Sequence, residues 1–445
     1  MQVCEVEASP IEALYRLRPT AVWRAFRRQR PSFWFVCIYL LFEYVRPQQI
    51  YDALKGPPYP LIAIILATIS MFLEGRRIRF RTPEMLLTAF SCIVLASSAT
   101  AAYPSISFSY ESISLYFSWV LIYFLIANVV DTEERFLIFV FSFLLYSFKM
   151  SQHATYSWAK DGFVFRNWGA TGAPGWFQNS GEFGIQMCIF LPLVVAFIIA
   201  LGKFWPFWGR LLGWGVAATA VTGIIASSSR GALVGLAAVT LWMLTKSRRR
   251  FRALFVTVLL AVAVYTITPD AQKNRFQKAG QDVTSVSRTD NWKDGIEMME
   301  QYPLLGIGYA NWRAYHLNHY GSQLLSHNMF IEAGSELGVS GLLAFVALIV
   351  CTFVLNRRTR RLVRTYGDEG HFISVMAHGL DGALVGCLVS GFFVTVLYYP
   401  FFWINFAMTA ALHNAALNGF RNGHPAGATS VPRGRGARAT MRAAW

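Results

Sequence analysis

Ser326-His327-Asn328-Met329-Phe330-Ile331-Glu332-Ala333-Gly334-Ser335-Glu336-Leu337-Gly338 leads directly into 339–355, a run apolar enough to span a bilayer. A histidine, an asparagine and two glutamates stand at the mouth of this span, and ionisable groups at that depth are costly and usually serve a purpose. Ser326 has the chemistry of an N-cap, which predicts that His327 lies in the first helical turn. There the helix dipole disfavours imidazolium and keeps the ring neutral, the state a proton acceptor needs. A polar helix start lodged among lipid headgroups fits the same residues.

Outward from this stretch, composition decides the class. The 445 residues are 55% hydrophobic and 14% charged, whereas soluble domains carry roughly 25% charged residues. The chain reads as an all-α polytopic membrane protein. Its net charge of +16 does not imply a nucleic-acid partner, because the positive residues fall in short clusters between apolar runs. No cleavable signal peptide is visible; residues 1–31, with Arg16, Arg18, Arg24, Arg27, Arg28 and Arg30, read as a basic cytoplasmic arm. The six cysteines are scattered, without zinc or disulfide spacing.

Apolar runs of span length predict about 12 transmembrane helices between 32 and 419, near 32–51, 59–73, 84–103, 112–130, 135–155, 181–201, 209–226, 231–245, 251–268, 326–355, 373–397 and 400–419. With both termini cytoplasmic, the basic clusters at 76–81, 203–210, 246–252 and 357–361 all fall on one side. The connection at Asp131-Thr132-Glu133-Glu134-Arg135 alone lacks a basic excess. Residues 420–445 have no apolar face and read as a disordered cytoplasmic tail. No internal repeat is evident.

On the other, outer side lies a large, partly helical loop, 269–325, between the ninth and tenth spans. Ser287 and Asp290 suggest a helix start there, and Pro303 a stop. Arg288, Trp292, Ile296 and Met299 share one stripe at helical spacing, so Arg288 faces protein or membrane and needs an anionic partner. Ser227-Ser228-Ser229-Arg230-Gly231 forms a tight outer hairpin that holds Arg230 at the depth of lipid phosphates. Alone, Arg230 also fits an arginine snorkelling to ordinary headgroups. Two fixed cations and one neutral histidine are the parts needed to displace a diphosphate with a hydroxyl nucleophile.

Other candidates carry less. Gly306-Ile307-Gly308 reads as a turn, since it lacks the third glycine and βαβ setting of a nucleotide loop. His316, His319 and His327 match no metal spacing, and no metal is expected. His378 and Asp381, one turn apart, suggest a structural pair, as do Glu43 and Arg46. The aromatic loop 156–180 suits either sugar stacking or a membrane interface. Glu332 and Glu336 share a face with Asn328 and point away from His327.

The pieces resemble those of the O-antigen ligases, which share a membrane domain with O-antigen polymerases and protein O-oligosaccharyltransferases. They are Asn179 within Pro174-Gly175-Trp176-Phe177-Gln178-Asn179-Ser180-Gly181-Glu182, Ser227 to Gly231, Ser287-Arg288 with Trp292, Gly306-Ile307-Gly308 with Trp312, and His327-Asn328 followed by Glu332, Glu336, Leu337 and Gly338. Phe42-Glu43-Tyr44-Val45-Arg46-Pro47 resembles a subgroup described as O-glycosylation ligases, which leaves the acceptor open. The resemblance implies an inner-membrane glycosyltransferase with a periplasmic site. Its donor would be an undecaprenyl diphosphate-linked glycan and its acceptor a hydroxyl of lipid A–core oligosaccharide. It implies His327 as the base, Arg230 and Arg288 as diphosphate ligands, and neither nucleotide nor metal as cofactor; Asn179, Trp292 and Asn328 are further candidate contacts. Polymerization of glycan units or transfer to protein would use the same chemistry. A transporter is the rival from another class, though it favours repeats and midplane substrate groups.

Overall fold

The computed structural model describes residues 10–164, 169–246 and 283–421, with scattered positions between 251 and 266. The expected span 251–268, the first part of the outer loop (269–282) and the tail beyond 421 lie largely or wholly outside the described residues. Among the described residues every regular element is helical. The longer helices are α1 (Pro31–Leu40), α2 (Tyr59–Leu73), α3 (Thr82–Ala99), α4 (Tyr110–Val129), α5 (Glu133–Lys160), α6 (Ser180–Leu201), α7 (Phe207–Ala226), α8 (Arg230–Lys246), α9 (Val283–Gln301), α10 (Trp312–Tyr320), α11 (Met329–Val363), α12 (His371–Gly391) and α13 (Pro400–Arg421). Among the described residues 7 helices are long and apolar enough to cross a membrane, and α2 is a shorter apolar helix. The polytopic all-α class is therefore borne out.

α6 is hydrophobic all round and buried along nearly its whole length, as a central bundle helix must be. α12 lies against it so closely that a Cβ on Gly386 would come within 2.7 Å of the Cys188 carbonyl oxygen. Around Phe90, the rings of Tyr116, Phe345 and Trp403 tie α3, α4, α11 and α13 into one core.

One end of the bundle is basic and internally paired. Asp131 gathers Arg76 (3.3 Å), Arg79 (3.0 Å) and Arg135 (2.8 Å), so the connection without a basic excess supplies the counter-charge for its neighbours. Arg81 donates to Asn414 near the end of α13 (3.0 Å), and Trp205 donates to the Tyr15 carbonyl (2.8 Å). The N-terminal arm, three connections and the end of α13 thus meet at one end. The cluster 357–361, expected in a connection, instead occupies the last turns of α11. Arginine is a strong helix former, and cations favour the carbonyl end of a helix.

The opposite end contains irregular backbone. α11 is broken at Gly338 (φ 68°), where a Cβ would meet the Leu304 backbone at 2.4 Å. The break frees carbonyls that the Gly306–Gly308 turn satisfies: Ile307 N–H donates to Ser335 (2.9 Å) and Gly308 N–H to Glu336 (3.1 Å). Gly306, at φ 68°, approaches the Glu336 backbone as closely. Irregular backbone survives at membrane depth only when buried protein satisfies it in this way.

Candidate functional site

The loop entering α11 is fixed from both sides. Its carbonyls at Leu324 and Leu325 accept from Trp312 Nε1 and Asn291 Nδ2, each at 2.8 Å. Asn328 caps α11, its side chain accepting from Phe330 N–H (2.8 Å) and Ile331 N–H (3.2 Å). The expected cap, Ser326, sits two residues too early. His327 consequently precedes the helix instead of occupying its first turn, and it adopts a left-handed backbone (φ 49°). The cap identity decides this: serine and asparagine both cap well, and the fold uses Asn328.

Thr395 holds that conformation. Its Oγ1 accepts from His327 N–H at 2.8 Å and lies 3.3 Å from Ser326 Oγ. Among the described residues the His327 ring makes no hydrogen bond, so both nitrogens remain available. Burial first, and the neighbouring Arg288 charge second, bring its pKa down from 6.5 to about 4. The ring is neutral at physiological pH, as expected, but desolvation and a guanidinium achieve this rather than a helix dipole.

Arg288 and Trp292 lie on α9, which begins at Val283, so Ser287 is inside the helix and is not its cap. The inward stripe also differs from expectation. Asn291, Gly295 and Met298 are buried, while Ile296 is 45% exposed. Arg288 and Trp292 flank that stripe half-buried. The Trp292 ring meets Phe392 edge-on at 5.3 Å, and its buried Nε1 has no hydrogen-bond partner among the described residues.

Arg230 opens α8 after a turn in which Ser228 has φ 53°. Its neighbour Gly231 is packed so that a Cβ would touch Phe393 at 3.0 Å. Asn179 caps α6, accepting from Gly181 N–H at 2.9 Å, and Gly181 faces both Ser229 and Val394. The hairpin, the α6 cap, α9 and the His327 loop all converge on 392–395. His327 and Arg288 come within electrostatic reach of each other, and Arg230 arrives at the same connection through its own turn.

The connection 392–399 is the element that sequence reasoning missed. It was absorbed into an expected span, 373–397, whereas α12 ends at Gly391. Its backbone is held by α11: Leu397 N–H donates to Glu332 Oε2 (3.1 Å). Glu336 likewise accepts from Ala310 N–H (3.1 Å) and Trp312 N–H (3.0 Å). The available signal was Thr395 in an apolar run ending Tyr398-Tyr399-Pro400, since proline disfavours helix in the residue before it.

The remaining candidates resolve individually. Glu43 and Arg46 pair at 3.4 Å, and Glu43 also accepts from Trp176 Nε1. Trp176 further packs edge-on against Tyr399 at 4.8 Å, so that part of the aromatic loop serves packing. Asp381 does not pair with His378; it binds Arg360 (2.6 Å) and Asn356 (2.8 Å). His316 hydrogen-bonds to Asp294 (3.0 Å) and the Ser322 carbonyl (2.7 Å). Among the described residues no group of three or more His, Cys, Asp or Glu could hold a metal.

Residues 215–346 match the O-antigen ligase family. That segment, under a third of the chain, is similar to the O-antigen ligase family. The matched segment contains Arg230, Arg288 and His327, and it excludes Asn179. The chain is also 26% identical over 200 residues to the exopolysaccharide production protein ExoQ of Rhizobium meliloti (strain 1021). That alignment covers 40% of this chain and 45% of the relative, so the chain spans under half of the relative's length. The fold is that of a multi-pass all-helical membrane protein, and its 215–346 segment is what resembles the O-antigen ligases.

Proposed function

We propose that the protein is an inner-membrane glycosyltransferase that moves a glycan from undecaprenyl diphosphate to a hydroxyl of lipid A–core oligosaccharide at the periplasmic face. The observation that carries this reading is a neutral, part-buried His327 beside the charge of Arg288, inside the segment matched by the family. The acceptor hydroxyl gives its proton to the imidazole as its oxygen bonds to the anomeric carbon. The bond from that carbon to the diphosphate breaks, and the electron pair leaves with the lipid diphosphate. Arg230 and Arg288 hold the departing anion through paired N–H donors. A single displacement inverts the anomeric centre, and the phosphoanhydride-bearing lipid already supplies the leaving group.

A pKa near 4 makes a weak base. The donor corrects this: a bound diphosphate offsets the Arg288 charge and favours imidazolium, so the base strengthens when substrate is present. A second reading, in which the acceptor hydroxyl belongs to another glycan unit, is favoured by the relative's role in exopolysaccharide production.

The test gives purified protein an undecaprenyl-linked glycan with lipid A–core, with a second glycan or with a Ser/Thr peptide. Capped lipid A–core, absent with His327→Ala, is the expected result. Glycan extension alone would make the protein a polymerase, and peptide modification a protein ligase. Translocation of the donor across a vesicle without transfer to any acceptor would replace the enzyme reading with a transporter.

A further inference from the structure

The end of α11 remote from His327 carries a second concentration of charge that the proposed reaction does not use. It lies roughly 45 Å along the helix from the candidate site. Arg357, Arg361 and Arg364 recur there at the spacing of one helical face. His371 and His378 on α12 line it from the other side, and together with Arg360 these residues border an open cavity of about 390 Å³.

The six groups do not play equal parts. Arg360 is committed to Asp381 (2.6 Å) and the Ala377 carbonyl (3.2 Å), which anchors the cavity floor. Arg357, Arg361 and Arg364 make no ion pair among the described residues. Asp368 and Glu369, in the turn joining the helices, do not line the cavity. Lys246 adds to the field from α8, where its ammonium lies 4.5 Å over the Trp242 ring, and Trp242 Nε1 reaches the His378 carbonyl (3.4 Å). Uncompensated guanidinium groups around one concavity repel each other and focus a positive potential into it. Their planar forks match phosphate oxygens.

We propose that this cavity is a binding site for a phosphate group, separate from the transfer site. The phosphate could arrive on a membrane lipid, as an anionic phosphodiester headgroup, or free in solution. Topology-setting charge alone would need no cavity and would not distinguish the arginines that line it from those that do not.

Arg358 supplies that comparison, since it stands on the same helix with the same charge and is not part of the cavity lining. Full-length protein in uncharged detergent is melted with inorganic pyrophosphate or with short-chain phosphatidylglycerol. Both lining substitutions, Arg357→Gln and Arg361→Gln, alter exposed side chains and leave the fold intact. At least one ligand is expected to raise the melting midpoint of the wild type and of Arg358→Gln alike. The concentration needed should increase roughly tenfold or more in each lining variant. Response to pyrophosphate identifies a soluble source, and response to phosphatidylglycerol alone identifies a lipid. No rise with either ligand, or an equal loss in Arg358→Gln, overturns the proposal.

Discussion

Thr395→Val tests the site through a residue outside the proposed chemistry. The substitution preserves side-chain shape and removes the oxygen that accepts from His327 N–H at 2.8 Å. A part-buried donor left without an acceptor costs about 1–3 kcal/mol. That bond now offsets the left-handed backbone of His327 (φ 49°), a conformation costing roughly 1–2 kcal/mol for a residue with a Cβ. Without it the loop relaxes toward ordinary backbone angles and carries the imidazole away from Arg288. At 1.4 kcal/mol per tenfold, kcat should fall roughly 5- to 150-fold. KM for the lipid donor should hardly change, because among the described residues the Thr395 hydroxyl bonds the His327 main chain and Ser326 rather than either arginine. Thr395→Ser keeps the hydroxyl and should retain most of the rate. Initial rates of glycan transfer at several donor concentrations separate kcat from KM. Wild-type kcat in Thr395→Val, alongside an inactive His327→Ala, would refute the reasoning about the loop while leaving the base assignment intact.

Three further outcomes follow from the same geometry. In the donor-free enzyme His327 is held at about 4, so kcat/KM should stay level as pH falls from 7 toward 5 and drop only near 4; an acid limb near 6.5 would remove His327 as the base. The sign for stability agrees: the unfolded chain takes up this proton near 6.5 and the folded chain only near 4, so the group costs stability as pH falls through that window. Arg288→Ala removes the second cause of the shift, and the acid limb should move upward in pH while kcat falls about 10²–10³-fold by analogy with a lost oxyanion donor; a limb that stays in place would place Arg288 away from the ring. Gly306→Ala forces a left-handed alanine against the Glu336 backbone at about 2.4 Å and should sharply lower the yield of folded protein in detergent, measured by size-exclusion profile. A normal profile would show that the turn is not what holds the broken helix.

Much of this architecture was legible because hydrophobic run length and basic clusters act locally. The helix limits of α2, Tyr59–Leu73, coincide with the expected span. Arg230, Arg288 and His327 stand out as candidates because polar residues at membrane depth are few, and the structure brings the Arg288 charge to His327. What eluded reading depends on contacts between distant segments. Nothing near residue 326 says whether Ser326 or Asn328 becomes the cap; the choice depends on Thr395, well over sixty residues later, bonding His327 N–H. The connection 392–399 was hidden because its residues are as apolar as a span. Its loss of helix follows from Gly391, Pro400 and a carboxylate on another helix. The stripe on α9 was misread by about one position, because Gly295, which has no side chain to score, faces Ile331 and Trp312.

The two glutamates in the opening stretch explain why a histidine can be left exposed to chemistry there. A carboxylate buried at membrane depth is costly unless hydrogen bonds satisfy it. Glu332 takes the Leu397 N–H, and Glu336 takes the N–H groups of Ala310 and Trp312. Each binds one of the irregular connections, 302–312 or 392–399, to the first segment of α11. The break at Gly338 and the turn at Gly306 close the same frame through backbone bonds alone. Those polar groups are therefore consumed in holding non-helical backbone where water cannot satisfy it. His327 differs because its constraint acts through the main chain, at Thr395, leaving the ring nitrogens uncommitted among the described residues. Fixing the backbone and sparing the side chain is what a proton acceptor beside a guanidinium requires, and it suits His327, rather than either carboxylate, to the role proposed for it.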